Sequence, residues 1–229
     1  MDTVRAPWSK ILKIQRAVIF DMDGVITDSE PLYAEAMDIV LSKHGIALAP
    51  EDYRAVIGSS TAFTWQYVID RFNLGGGIQE WIRVYDEAVA EILSAKTTAS
   101  EGLHWLLECL VSKGVHVGLA TGSKTRWTEI ILNRIGVVTF FEAVATADMV
   151  SASKPEPDLY LLAANKLGVS PRNCLAIEDT PRGIAAAKAA GMVSVAVRTE
   201  STAGLDISAA DYVISSLSEF DFTWVEDLR

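Results

Sequence analysis

The sequence predicts an α/β fold: a parallel sheet with helices on both faces and a small all-helical domain inserted after the first strand. Three observations predict it. Short apolar runs end abruptly in a polar residue, Ala17-Val18-Ile19-Phe20 before Asp21, residues 115–120 before Thr121 and Cys174-Leu175-Ala176-Ile177 before Glu178, as suits strands buried on both faces. Helical periodicities at residues 101–113, 124–135, 157–167 and 181–190 alternate with these runs, and the order strand, helix, strand calls for a parallel sheet. Residues 28–97 break the rhythm, with helical patterns and no convincing strand.

The elements follow in order. After the first strand at residues 17–20, helices are predicted over 31–43, 51–57, 61–72 and 78–95. The last sets Ile78, Trp81, Ile82, Tyr85, Val89 and Ile92 on one face. Gly58 and Gly75-Gly76-Gly77 separate these helices. Further strands fall at 142–145, 192–197 and 211–214. Gly114, Gly136, Gly168 and Gly191 stand just past helices, and Pro157 and Pro181 near helix starts. The chain therefore divides into a core, residues 1–27 and 98–229 with 1–14 as an N-terminal extension, and a helical cap over 28–97 above the sheet end from which it emerges. Residues 27–31 and 94–100 read as hinges of a lid, the second small and polar with little apolar surface to anchor it.

Composition bounds the function. A chain of 229 residues, half of them hydrophobic and 22% charged, carries a substantial core and is not disordered. Lys and Arg number 20 against 30 Asp and Glu, a net charge of −10, which argues against nucleic acid as a partner. Any anionic substrate must be gathered by local positive charge, a metal or backbone donors. Cys109 and Cys174 form no Cys-x-x-Cys or Cys/His cluster, so they read as reduced, buried thiols of a cytoplasmic protein. No secretory pattern opens the chain and no run approaches the ~18 apolar residues of a membrane span, so no membrane partner is expected. The expected state is a monomer acting on a small molecule. The six tryptophans read as core and cap packing, and His44, His104 and His116 are scattered and receive no role.

The chemistry gathers at three strand ends, where an open parallel sheet binds its ligands. Asp21-Met22-Asp23-Gly24 supplies two carboxylates and a glycine for a sharp turn. Thr121-Gly122-Ser123 supplies a hydroxyl and two unhindered backbone N–H groups just before a helix, the geometry that holds a phosphate. Glu178-Asp179 supplies a second acidic pair. Four converging carboxylates, Asp21, Asp23, Glu178 and Asp179, repel one another unless a hard cation sits among them, and an oxygen-only set points to Mg²⁺. Lys154, between Ser153 and Pro155, sits on an extended loop able to reach an anion. Each piece has a plainer reading: an Asx-turn at Asp21, an N-cap at Thr121, a solvated charge at Lys154, a cap for the helix at Pro181 by Glu178 and Asp179. Their joint placement at three ends of one sheet favours a site.

In that order the motifs resemble the haloacid dehalogenase superfamily. They are Phe20-Asp21-Met22-Asp23-Gly24-Val25-Ile26-Thr27-Asp28-Ser29-Glu30-Pro31, Leu119-Ala120-Thr121-Gly122-Ser123, Lys154-Pro155-Glu156-Pro157-Asp158, and the run from Ile177-Glu178-Asp179-Thr180-Pro181 to Gly191. Within the superfamily the sequence is most similar to the β-phosphoglucomutase-like phosphatases and mutases with a helical cap. The resemblance implies a Rossmann-like core and a Mg²⁺-dependent phosphatase acting on a small phosphorylated metabolite. It implies Asp21 as nucleophile, Asp23 as general acid and base, Thr121, Gly122 and Ser123 as phosphoryl ligands, and Lys154 as the neutralising cation. Asp21, the Asp23 carbonyl, Asp179 and Glu178 would hold the metal. The cap loop at Gly58-Ser59-Ser60 would meet the substrate, which makes Gly58 and Ser59 binding candidates. Asp23 sets the chain apart from the dehalogenases, which carry a non-acidic residue there. A sugar-phosphate mutase shares all four motifs, but its cap histidine and arginine are matched here by Tyr33 and the neighbourhood of Thr61.

Overall fold

The computed structural model describes residues 15–56 and 61–228. Six strands, β1 (Ala17–Phe20), β2 (His116–Ala120), β3 (Ala143–Ala145), β4 (Cys174–Glu178), β5 (Val193–Val197) and β6 (Tyr212–Ile214), lie in the order β3-β2-β1-β4-β5-β6. Every pairing is parallel. The alternation of side chains along β1 divides its residues between two layers. Val18 and Phe20 join the larger core with Leu103, Leu106, Leu107 and Leu110 of α5 (Leu103–Ser112). Ala17 and Ile19 face α7 (Asp158–Leu167) and α8 (Pro181–Ala189), whose Ala163, Ala164, Ala186 and Ala187 let those helices approach closely. α6 (Thr125–Arg134) follows β2, and a short α9 (Thr223–Glu226) closes the described chain. No helix among the described residues is long and apolar enough to cross a membrane.

The insert holds α1 (Glu30–Ser42), α2 (Pro50–Arg54), α3 (Thr61–Phe72) and α4 (Ile78–Lys96), with no strand among its described residues. Its interior is aromatic. Trp65 stacks on Trp81 with ring centroids 5.5 Å apart and meets Tyr85 edge-on at 5.4 Å, so the apolar stripe predicted on α4 faces α3. Buried against the core cluster along the same stripe are Val89 and Ile92.

Two expectations need correction. α4 runs on to Lys96, and Thr97 behind it is buried, so the segment expected to be loose is half helix. The two crossings are also braced to each other: Thr27 Oγ1 donates to the Thr98 carbonyl at 2.8 Å and the Ser100 amide to the Ile26 carbonyl at 2.9 Å. Cys174 is buried as expected, but Cys109 is only half-buried, because α5 turns that side of its second turn toward solvent.

Candidate active site

Winding reverses at β1, so the carboxyl ends of β1, β2 and β4 open on one crevice. Phe20 lies in register with Leu119 and Ile177, and the Asp21 amide donates to the Ile177 carbonyl at 2.9 Å. Strand pairing therefore brings the three motifs together across a hundred and more residues of chain.

Asp21, Glu178 and Lys154 form the floor. Lys154 Nζ donates to Asp21 Oδ1 and to Glu178 Oε1, each at 2.5 Å. The Tyr160 hydroxyl, from α7, donates to the same Glu178 oxygen at 2.7 Å. Glu178 Oε2 accepts from the Asp179 amide at 3.2 Å and from Thr180 Oγ1 at 3.2 Å. Glu178 is wholly buried and surrounded by donors, and a Cβ on Gly183 would overlap its carboxylate. Thr180 caps α8, accepting from the Gly183 amide at 3.1 Å, so the plainer reading of Glu178 and Asp179 as helix caps falls away.

Asp179 is different. Its Oδ1 is buried with no hydrogen-bond partner among the described residues. Asp21, Glu178 and Asp179 each offer an oxygen within 4.8 Å of the others. Burial, with Glu178 and Asp23 adding to it and Lys154 opposing, pushes the Asp21 carboxyl up to about 8. Burial, then Asp21 and Glu178, push Asp179 up to about 9. Burial acts to lower Lys154, but Asp21 and Glu178 outweigh it and hold the ammonium charged. Three carboxylates around one cation leave an excess of negative charge in a buried place. That excess, the orphaned oxygen and the all-oxygen donor set suit a hard divalent cation. Gly24, at φ +82, makes the room, since a Cβ there would overlap the Asp179 carboxylate.

Asp23 turns toward the insert. Its Oδ1 accepts from Ser29 Oγ and from the Tyr33 hydroxyl at 2.8 Å, and its Oδ2 from Ser123 Oγ at 2.7 Å and Thr121 Oγ1 at 3.3 Å. Four hydroxyls from β1's loop, α1 and β2's loop thus fix one carboxylate. Burial, then Asp23, raise Tyr33 well above its usual range, so it stays a hydrogen-bond donor. Of residues 121–123, Thr121 and Ser123 are buried and Gly122 is exposed, and a Cβ on Gly122 would meet only the Ser153 hydroxyl, at an ordinary 3.7 Å. The expectation that the Ser123 amide is unhindered is corrected: it donates to Thr121 Oγ1 at 3.0 Å. Gly58 and Ser59 lie outside the described residues.

Reasoning from the sequence missed Tyr160 and Ser29 at the site. Tyr160 left a faint signal, a hydroxyl on the otherwise apolar buried face of α7, and Ser29 stood only as a cap ahead of α1. It also missed a charged contact beside the phosphate loop, where α4 meets α6. Asp86 accepts from Lys124 Nζ at 2.9 Å and Arg126 Nη1 at 2.6 Å, and Arg126 also forks onto Glu87 at 2.8 and 2.7 Å.

The comparisons with known proteins fit this geometry. The profile of the haloacid dehalogenase-like hydrolase family matches residues 18–197. Fructose-1-phosphate phosphatase YqaB of Escherichia coli is 35% identical over 188 residues, 79% of this chain and 95% of that protein. β-Phosphoglucomutase of Bacillus subtilis is 29% identical over 214 residues, 89% of this chain and 91% of that one. The crystal structure of CbbY from Rhodobacter sphaeroides in complex with phosphate shares the fold, with a TM-score of 0.81 at 22% identity over 93% of this chain and 100% of that one.

Proposed function

Because the chain belongs to the haloacid dehalogenase-like hydrolase family, we propose that it hydrolyses a small phosphorylated metabolite, such as a sugar phosphate, through an aspartyl-phosphate on Asp21. The observation that carries this reading is the split between two neighbouring acids. Asp21 lies in the acid-lined floor against Lys154, and Asp23 stands two residues on among hydroxyls. That split supports one acid attacking and the other moving a proton.

An Asp21 oxygen attacks phosphorus, the bond to the leaving alcohol breaks, and Asp23 gives that oxygen its proton. Water then attacks the aspartyl-phosphate, Asp23 takes the proton back, and inorganic phosphate leaves. Lys154 neutralises Asp21 and the phosphoryl group through the contact it already makes, while Glu178 and Tyr160 keep it aimed. Thr121, Gly122 and Ser123 receive the phosphoryl oxygens. Asp21, Asp179, the Asp23 carbonyl and Glu178 would hold Mg²⁺, and Asp179 Oδ1 is the oxygen with the most to gain. Bound there, Mg²⁺ supplies the positive charge that lets one anion approach another. Residues 28–97 act as the cap that covers the leaving alcohol.

Tyr33 bonds Asp23 and Ser123, and its match, by resemblance, to the cap histidine of the mutases supports hydrolysis over phosphoryl return. The test is a panel of phosphorylated sugars, nucleotides and small organic phosphates assayed with Mg²⁺, β-glucose 1-phosphate among them. Inorganic phosphate is expected from the wild type and none from Asp21→Asn, whose amide is nearly isosteric but not an anionic nucleophile. Comparable turnover by the variant would remove the aspartyl-phosphate, and conversion of β-glucose 1-phosphate to its 6-phosphate isomer would establish the mutase.

A further inference from the structure

Resting on the hydrolase reading above, we propose that Glu30, oriented by Tyr53, accepts hydrogen bonds from hydroxyls of the leaving alcohol and so selects polyhydroxylated phosphate esters. Glu30 opens α1, and Tyr33, whose hydroxyl reaches Asp23, lies three residues on along the same face. The carboxylate is near enough to Asp23 and Asp28 for their charges to act on it. Its rotamer is fixed: the Tyr53 hydroxyl, from α2, contacts Glu30 Oε2 at 2.9 Å and the Glu30 carbonyl at 3.1 Å.

Structure alone gives little reason for an acid here. Glu30 is half-buried, and among the described residues no Lys or Arg forms an ion pair with it. Burial, and behind it Asp23 and Asp28, hold its pKa up against the pull of Tyr53. A carboxylate kept in so unfavourable a place is a candidate for ligand contact.

The surroundings say which ligand. Lys124 and Arg126, the cations where α4 meets α6, are engaged by Asp86 and Glu87, so neither is free for a second phosphate. The nearby rings are packed on one another, Tyr33 against Trp127 at 5.4 Å and Tyr85 against Trp65 and Trp127 at 5.4 and 6.1 Å. They present no open cage for an alkylammonium group. An acceptor with no cation paired to it among the described residues, held by a tyrosine hydroxyl, fits O–H donors, and a site built to bond hydroxyls discriminates against analogues that lack them.

The test compares kcat/KM for sorbitol 6-phosphate and phenyl phosphate, two monoesters that differ in hydroxyls on the leaving group. Glu30→Gln, which keeps the shape and the bond to Tyr53, should lower the ratio of the two about tenfold. Tyr53→Phe should lower it about threefold alone and no further in the Glu30→Gln background, as a positioning residue acting through Glu30 requires. An unchanged ratio in Glu30→Gln, whatever the absolute rates, overturns the proposal. So does a preference of the wild type for phosphocholine that Glu30→Gln abolishes. A wild type that hydrolyses neither monoester overturns the hydrolase reading itself, whereas an unchanged ratio in an active enzyme overturns this inference alone.

Discussion

At the scale of single residues, Asp21 and Asp179 titrate against the usual run of carboxylates. A carboxyl raised by folding binds its proton more tightly in the folded chain. The stability it contributes is therefore fully present below the ordinary value of 3.8 and is lost as the pH rises through about 8 for Asp21 and about 9 for Asp179. In EDTA, the Tm should accordingly fall from about pH 5 to about pH 9, and Mg²⁺ should flatten that fall by neutralising the same charges. Saturation at a hundredfold over Kd would add about 2.7 kcal/mol. Identical Tm profiles with and without Mg²⁺ would remove the cation from this cluster. Gly24 gives a sharper test. Its φ of +82 and its proximity to the Asp179 carboxylate make Gly24→Ala costly twice, by about 1–2 kcal/mol of backbone strain and by displacement of the acid. The variant should fold, but need far more Mg²⁺ for half-maximal activity. An unaltered Mg²⁺ titration would show that Asp179 has no part in holding the ion.

At the scale of elements, the cap helix α4 and the core helix α6 are joined by charges beside the phosphate loop. Lys124 sits at the N-cap of α6 with its Nζ 5.0 Å over the Trp127 ring, and Asp86 holds it there. The Arg126 side chain is 45% exposed and the Glu87 side chain 63%, so each outer pair is worth under about 1 kcal/mol and is screened by salt. Asp86, only 18% exposed, is the inner member on which both cations converge. Asp86→Asn should therefore lower kcat/KM severalfold for a sugar phosphate and weaken its dependence on ionic strength. Steady-state kinetics from low salt to 0.5 M NaCl measures both. A variant with the wild-type salt dependence would mean that these charges do not fasten the cap.

At the scale of the whole molecule, the proposed function calls for a cap that opens and closes, because motifs that grip a phosphoryl group would leave the rest of a substrate in water. The braces between Thr27 and Thr98 and between Ile26 and Ser100 tie the two crossings to each other, so such a movement is expected as a joint rotation rather than the flexing of two loose linkers. A reversible cross-link between Glu87→Cys and Arg126→Cys, in a chain with Cys109→Ser, should depress turnover of a sugar phosphate more than that of acetyl phosphate and release it on reduction. Equal rates before and after cross-linking would make the insert a fixed structure.

Much of this was legible in the chain itself. Each core strand is a short apolar run stopped by a polar residue, and burial on both faces leaves only that pattern possible. The same runs therefore announced both the parallel sheet and the place of Asp21, Thr121 and Glu178 at its carboxyl ends. The helical insert was legible too, since the stripe from Ile78 to Ile92 has a helical period. Tertiary structure alone decided how the acids divide their work: Asp23 turns to four hydroxyls, Glu178 takes Lys154 and Tyr160, and Asp179 keeps a buried oxygen without a partner. It alone joined Asp86 to Lys124 and Glu30 to Tyr53. The physical reason is that periodicity records which face of an element is buried, whereas the partner of a polar group is set by strand order and by the seating of the cap, which bring together residues that have no local relation in the sequence.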